Sequence, residues 1–286
     1  VYHVLPSLIS HSIHSLFVSG FAQQGTVDIA DIGMYSYSYV VNDFNKNAIS
    51  FAGFSTQNLD SSTLPKSATF AKYYNYYQDF SYANTWVRSA IQAAITDTYA
   101  RGRADFGDFS FAQRSVAAAG GIVMLSTWME VIRQMDEMLL HCGRGQSLSA
   151  QRHWDLAVAF YTGSLEGTTG NSPGRLLHQM ADDMCIRFRS CGNLANEAAG
   201  RSFVNREVLR NFRNAKGFLI QGTNGCGDLW VAKRAVEQYM VIPLIQGTLM
   251  YAYERGRVVD SPDNLSIGAT FAAAISPLIN ACNAAD

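Results

Sequence analysis

The chain has 286 residues, 48% of them hydrophobic and 16% charged, with a formal net charge of −1. Such a length can bury a large core. Near-neutrality without a run of Lys or Arg gives no basis for nucleic-acid binding or attraction to an anionic membrane, and Gly, Ser or charge breaks the apolar runs, so no transmembrane segment is expected.

Residues 1–25 alternate apolar residues with Ser and His and carry no Lys, Arg, Asp or Glu. No helical stripe emerges, so an extended N-terminal arm is expected. Within it His11 and His14 stand three apart, a spacing that suits a metal only on a helix. The first helical run is expected after Thr26, a fitting N-cap with Asp28 in its first turn, and a polar loop at 55–67 follows. From Ser67 the text reads as helix through FAKYYNYYQDF and ANTWVRSAIQAAITDTYA. The next helix is expected to open at Asp108, whose carboxylate can accept free N–H groups of the first turn. Leu125, Trp128, Met129, Ile132, Met135 and Leu139 then recur at helical spacing. Gly120-Gly121 inside this helix either admits a close neighbour or breaks it, and Cys142-Gly-Arg-Gly supplies a glycine stop. Four further helices are expected at 153–165, 174–190, 203–220 and 228–255, the last kinked at Pro243, with a tail behind them. Strand signals are weak outside the arm.

An internal echo organises these elements. GDFSFAQRSV at 107–116 returns as GDLWVAKRAV at 227–236, identical at Gly107/Gly227, Asp108/Asp228, Ala112/Ala232, Arg114/Arg234 and Val116/Val236. VDIA at 27–30 has a weaker counterpart in WDLA at 154–157. The expected fold is therefore all-α: two pseudo-symmetric four-helix units from an internal duplication, with the extended N-terminal arm. Expected boundaries are 1–25 for the arm, 26–145 and 150–256 for the units, and 257–286 for the C-terminal tail, the two units packing as one domain.

The cysteines at 142, 185, 191, 226 and 282 form no CxxC pair and lack zinc-site spacing. One or two disulfides among Cys142, Cys185, Cys191, Cys226 and Cys282 in an oxidising compartment is the plain reading, with buried thiols the alternative. Asn264-Leu-Ser is the single glycosylation sequon. Both features point to an extracellular, periplasmic or cell-surface protein.

Phosphate-binding glycine motifs, GxSxG and HExxH are absent from the sequence, and no Ser/His/Asp or Cys/His set assembles by spacing. An enzyme is not expected. Oxygen-rich clusters remain. The run Tyr73-Tyr74-Asn-Tyr76-Tyr77-Gln-Asp79 places Tyr73, Tyr76 and Tyr77 on one helix face, which suits either a hard cation such as ferric iron or a half-buried aromatic face. His153-Trp154-Asp155 with Tyr161 and Glu166 forms a second cluster, explicable also by capping and turn chemistry. Glu130, Gln134 and Glu137 line one stripe beside Asp136, either facing a bundle interior as in carboxylate metal proteins or facing solvent. No ExxH pair accompanies them. His178 with Asp182 one turn on reads as a surface pair.

Five segments, FAKYYNYYQDFSYANTWVRSAI (70–91), TWMEVIRQMDEMLLHC (127–142), HWDLAVAFYTGSLEG (153–167), LLHQMADDMCIRFRSCG (176–192) and IPLIQGTLMYAYE (242–254), resemble the low-iron-inducible periplasmic protein family of algae and its phytotransferrin-like relatives. AFYTGSLEG and PLIQGTLMYAYE are the most specific pieces. The resemblance implies a secreted protein with a role in iron assimilation and Fe3+ binding; for that role the oxygen-rich clusters offer Tyr77, Asp79, Glu130, Tyr161 and Glu166 as candidate ligands. A competing expectation is a structural subunit of an extracellular filament or coat, a homo-oligomer assembled by docking residues 1–25 on a neighbouring copy.

Overall fold

A computed structural model of the protein describes residues 38–41, 44–47, 67–163, 176–192, 202–255 and 262–282. The expected arm, the helix after Thr26, His11, His14 and Glu166 lie outside these residues. The architecture is all-α. Its helices are α1 (Ala68–Tyr77), α2 (Tyr82–Gln92), α3 (Phe111–Gly121), α4 (Trp128–Gly143), α5 (Ser147–Thr162), α6 (Leu176–Phe188), α7 (Phe203–Ile220), α8 (Cys226–Arg255) and α9 (Pro262–Cys282). A π-helical turn, Ile122–Thr127, joins α3 to α4, and a 3-10 turn, Gly222–Gly225, leads into α8. One short hairpin pairs β1 (Ser38–Val41) antiparallel with β2 (Phe44–Asn47), with Val41 opposite Phe44. This hairpin adds to the sequence expectation without altering the fold class.

The chain divides into two compact units, Val1–Ser126 with Arg255–Asp286, and Thr127–Glu254. This differs from the expected division near residue 145 in two ways: α4 packs along α5 in the second unit, and α9 joins the first. The segment expected as a tail is a helix that packs on α3 and α1 within the first unit. Pro262 suits its first position, where no intrahelical N–H bond is lost.

Gly120 and Gly121 serve close packing. A Cβ on Gly121 would stand 2.5 Å from Cδ1 of Trp86, and one on Gly120 would stand 3.0 Å from Cγ2 of Thr270. Absence of a side chain lets α2 and α9 approach α3 at these points. The indole of Trp86, fully buried, donates to the Ala117 carbonyl at 3.0 Å, so its one polar atom is satisfied.

Several helix boundaries depart from expectation; α5, for one, opens at Ser147 rather than at residue 153. The run expected to continue to residue 100 stops at Gln92, where Ala93 adopts a left-handed φ of 54°. Thr96 then competes for backbone groups. Its Oγ1 accepts from the Ala104 N–H at 2.8 Å, and a bridge pairs Ile95 with Asp105. The following helix opens at Phe111 rather than Asp108. Ser110 is the N-cap, and with Gln113 it forms a reciprocal capping box. Asp108 lies in the turn before it, whereas Asp228, its counterpart in the repeat, sits in the first turn of α8. The two copies thus differ locally. Val116 and Val236 are both buried, but Ala112 is exposed where Ala232 is buried. Arg114 lies 5.9 Å over the Phe111 ring and Arg234 4.9 Å over Trp230, so the shared arginine covers an exposed aromatic in each copy.

Two helical stretches, Phe111–Gly143 and Asn264–Cys282, are long and apolar enough to cross a membrane by length and composition. Gly and Ser interrupt both stretches, as expected, but small residues barely lower mean hydropathy. In the first, 83% of the apolar window is buried within the fold, the state of a core helix; in the second the figure is 39%.

Disulfides join Cys142 to Cys226 and Cys185 to Cys191, both in the second unit, while Cys282 is free and exposed. Asn264 stands in the first turn of α9, and Ser266 of its sequon is fully buried, so the sequon lies on a helix rather than a loop.

Candidate metal centre

Of the residues expected to bind iron, Tyr77, Asp79, Glu130 and Tyr161 are described, and each has an internal hydrogen-bond partner. Tyr77 in α1 is fully buried and donates to the Ala273 carbonyl at 2.7 Å; Tyr73 donates to Ala274 at 2.7 Å. The Tyr77 bond has a covalent cause in α9. Pro277 has no N–H, so the Ala273 carbonyl four residues before it loses its helical donor. The Tyr77 hydroxyl fills that deficit. Burial, then the neighbouring Tyr73 and Tyr76, pushes its pKa well above the usual phenol value, which opposes a phenolate ligand. Tyr82 and Tyr99 are raised likewise, burial again being the first cause, and Tyr99 donates to the Tyr82 carbonyl. Asp79 is committed to internal donors as well. Its carboxylate accepts from Ser81 N, Thr85 Oγ1 and Thr98 Oγ1, each at 2.7 Å.

In the second unit Tyr161 is fully buried and donates to Asn205 Oδ1 at 2.6 Å, and burial holds its pKa far above normal. Asn205 is gripped in turn by Asp182, which also accepts from Ser202 N at 2.8 Å. His178 and Asp182 are therefore buried core residues, not the expected surface pair. Tyr77 and Asp79 belong to one unit, Glu130 and Tyr161 to the other, and Glu166 lies outside the described residues.

The carboxylate stripe of α4 points inward. Glu130 is 1% exposed and Gln134 4%, against the solvent-facing alternative. Arg133 grips Glu130 with two bonds, Nε to Oε2 at 2.8 Å and a terminal nitrogen to Oε1 at 2.7 Å. Burial raises the Glu130 pKa, opposed by Arg133 and Gln134. Asp136 turns elsewhere, to Lys233, which also binds Glu237. Burial pulls the Lys233 ammonium down, but the two carboxylates outweigh it and hold it above its ordinary value.

Beyond this pairing the stripe reaches a different cluster. Glu137 and His141 stand one turn apart on α4, and α5 packs along α4 to bring His153 beside them. One ligand atom from each of Glu137, His141 and His153 lies within 4.8 Å of the others, and all three residues are half-buried. The two imidazoles stack, 5.0 Å between centroids and 10° from parallel. His153 Nδ1 lies 2.6 Å from Gln134 Oε1, and His141 Nδ1 lies 2.5 Å from Gln146 Oε1.

The tautomer of His153 follows from this network. Gln134 Nε2 donates to Glu130 Oε1 at 2.7 Å, and an ionised carboxylate can only accept. The amide oxygen of Gln134 therefore faces the imidazole, and His153 must carry its proton on Nδ1. Its Nε2 lone pair remains for another partner. Burial lowers the His153 pKa, as do His141, Arg133 and Arg152, against Glu137, and the neutral ring is favoured. A neutral imidazole with its second nitrogen anchored to an acceptor is the arrangement of a metal-ligating histidine.

Sequence reasoning finds Glu137 and His153 separately but passes over His141, whose signal is Glu and His at i and i+4 rather than an ExxH pair. Comparison with known proteins adds no assignment: no family model, curated protein or solved structure matches the chain.

Proposed function

We propose that the protein binds a metal ion through Glu137, His141 and His153. The observation carrying this reading is that two imidazoles, each anchored through one nitrogen, converge with one carboxylate, while the other oxygen-rich clusters are committed to internal partners. Two disulfides fit an oxidising, extracellular or periplasmic setting. Within that setting the resemblance to low-iron-inducible proteins supports a role in handling iron outside the cell. The ligand set for that role is the histidine–glutamate cluster in place of the tyrosines and Asp79.

Metal analysis of the purified full chain tests the reading, alongside a Glu137→Gln/His141→Ala/His153→Ala variant. The wild type is expected to retain about one ion per chain after desalting, and the variant none. Equal metal retention by both proteins would remove these residues from the function.

A further inference from the structure

We infer that the Glu137–His141–His153 centre is a site for a borderline divalent cation, Zn2+ or Fe2+, held through histidine Nε2 atoms and leaving a coordination position open. The inference rests on the proposed function and narrows it.

Three features argue for this class of ion. The first is ligand chemistry. Two imidazoles and one carboxylate form a set matched to Zn2+ or Fe2+, in which three protein ligands leave room for water or a small exogenous ligand. A ferric ion favours several anionic oxygens, and this centre contributes one carboxylate. The buried tyrosines that could have supplied more, Tyr77 and Tyr161, hold their protons in hydrogen bonds to internal acceptors.

The second feature is pre-orientation. Arg133 fixes Glu130, Glu130 fixes the Gln134 amide, and that amide fixes the His153 proton on Nδ1, each through a contact of 2.6–2.8 Å. His141 is anchored by Gln146, from the three-residue connection between α4 and α5. The ring of His153 is thereby held with Nδ1 on Gln134 and Nε2 directed away from it. Gln134 and Gln146 are positioning residues, acting on the ion only through the rings they hold.

The third is reach. Ligand atoms in a tetrahedral shell with metal–ligand distances of about 2.1 Å stand ~3.4 Å apart. One ligand atom from each residue lies within 4.8 Å of the others, so side-chain adjustment on the scale of roughly 1.4 Å brings the cluster to coordination distance.

The experiment is a titration of the metal-stripped full chain with Co2+, whose visible bands report coordination, followed by displacement with Zn2+. A parallel titration uses ferric citrate. Expected results are one Co2+ per chain with intense four- or five-coordinate bands, displacement by stoichiometric Zn2+, and ferric binding weaker by a hundredfold or more. His153→Ala and Glu137→Gln should each weaken Co2+ binding at least a hundredfold. Both sites are half-buried, and circular dichroism checks that the variants fold. Gln146→Ala, on the surface, should weaken binding about tenfold and shift the cobalt bands, which a purely structural role would not do. Ferric binding tighter than divalent binding, lost in His153→Ala, would overturn this inference while leaving metal binding intact. Failure of every ion to bind would overturn both. An unchanged cobalt spectrum in Gln146→Ala would overturn the pre-orientation.

Discussion

The tyrosine cluster of the first unit and the histidine cluster of the second are both rich in potential ligand atoms, yet the first is far more committed to internal hydrogen bonds. Tyr73 and Tyr77 give their protons to α9 carbonyls, and both Asp79 oxygens accept, from two threonine hydroxyls and a backbone N–H. His141 and His153 use one nitrogen each for a glutamine oxygen and keep the other. Residue type alone therefore does not mark a binding site. What marks it is capacity left after internal hydrogen bonds are counted.

The units also differ in covalent bracing, and this sets the largest expected effect. Among the described residues both disulfides lie in the second unit, and Cys142–Cys226 spans 84 residues while Cys185–Cys191 spans 6. Replacing Cys142 and Cys226 with Ala should cost about 4–5 kcal/mol of unfolding free energy, and replacing Cys185 and Cys191 about 2 kcal/mol. Because Cys142 adjoins His141, the first pair should weaken Co2+ binding too. Equal denaturant midpoints for the two variants would show that loop length does not govern the bracing.

A smaller effect concerns Asp183 in the second unit. Burial raises the Asp183 carboxyl to about 6, helped by Asp182 and opposed by Arg187. A raised folded-state pKa means that the folded chain holds the proton more tightly than the unfolded chain. The stabilisation is complete below pH ~4 and is lost as pH rises through about 6. Asp183→Asn should flatten that fall and be more stable than wild type at pH 7 by roughly 1–2 kcal/mol, allowing for partial solvent access. Parallel stability curves for the two proteins between pH 4 and 7 would count against this assignment.

The smallest effect tests whether the tyrosines are structural. Tyr77→Phe should cost about 1 kcal/mol and leave Co2+ affinity unchanged. In a Pro277→Ala background the same change should cost less, because replacing the proline restores a backbone N–H donor for the Ala273 carbonyl. Loss of metal binding in Tyr77→Phe would break the comparison between the two clusters.

Much of the helical framework is legible in the sequence. The bounds of α7 match the expected 203–220, and those of α8 differ from 228–255 by two residues, because apolar spacing, N-caps and glycine stops are local signals. The role of α9 is not local. Its partners, Tyr73 and Tyr77, lie about 200 residues away, and its two prolines read as loop punctuation. The site is half legible for a similar reason. Helical spacing relates Glu137 to His141, but only packing of α5 on α4 adds His153, and only the glutamine contacts reveal which nitrogens are occupied.

The three ligands all fall between residues 137 and 153, on two helices joined by a short connection. Bringing them together closes a small loop, so its entropic cost is low and its formation does not wait for distant parts of the chain. The helical hairpin carrying the centre can therefore assemble early in folding. An ion captured at that stage would act as a clasp on the nascent α4–α5 pair before Cys226, far downstream, arrives to pair with Cys142.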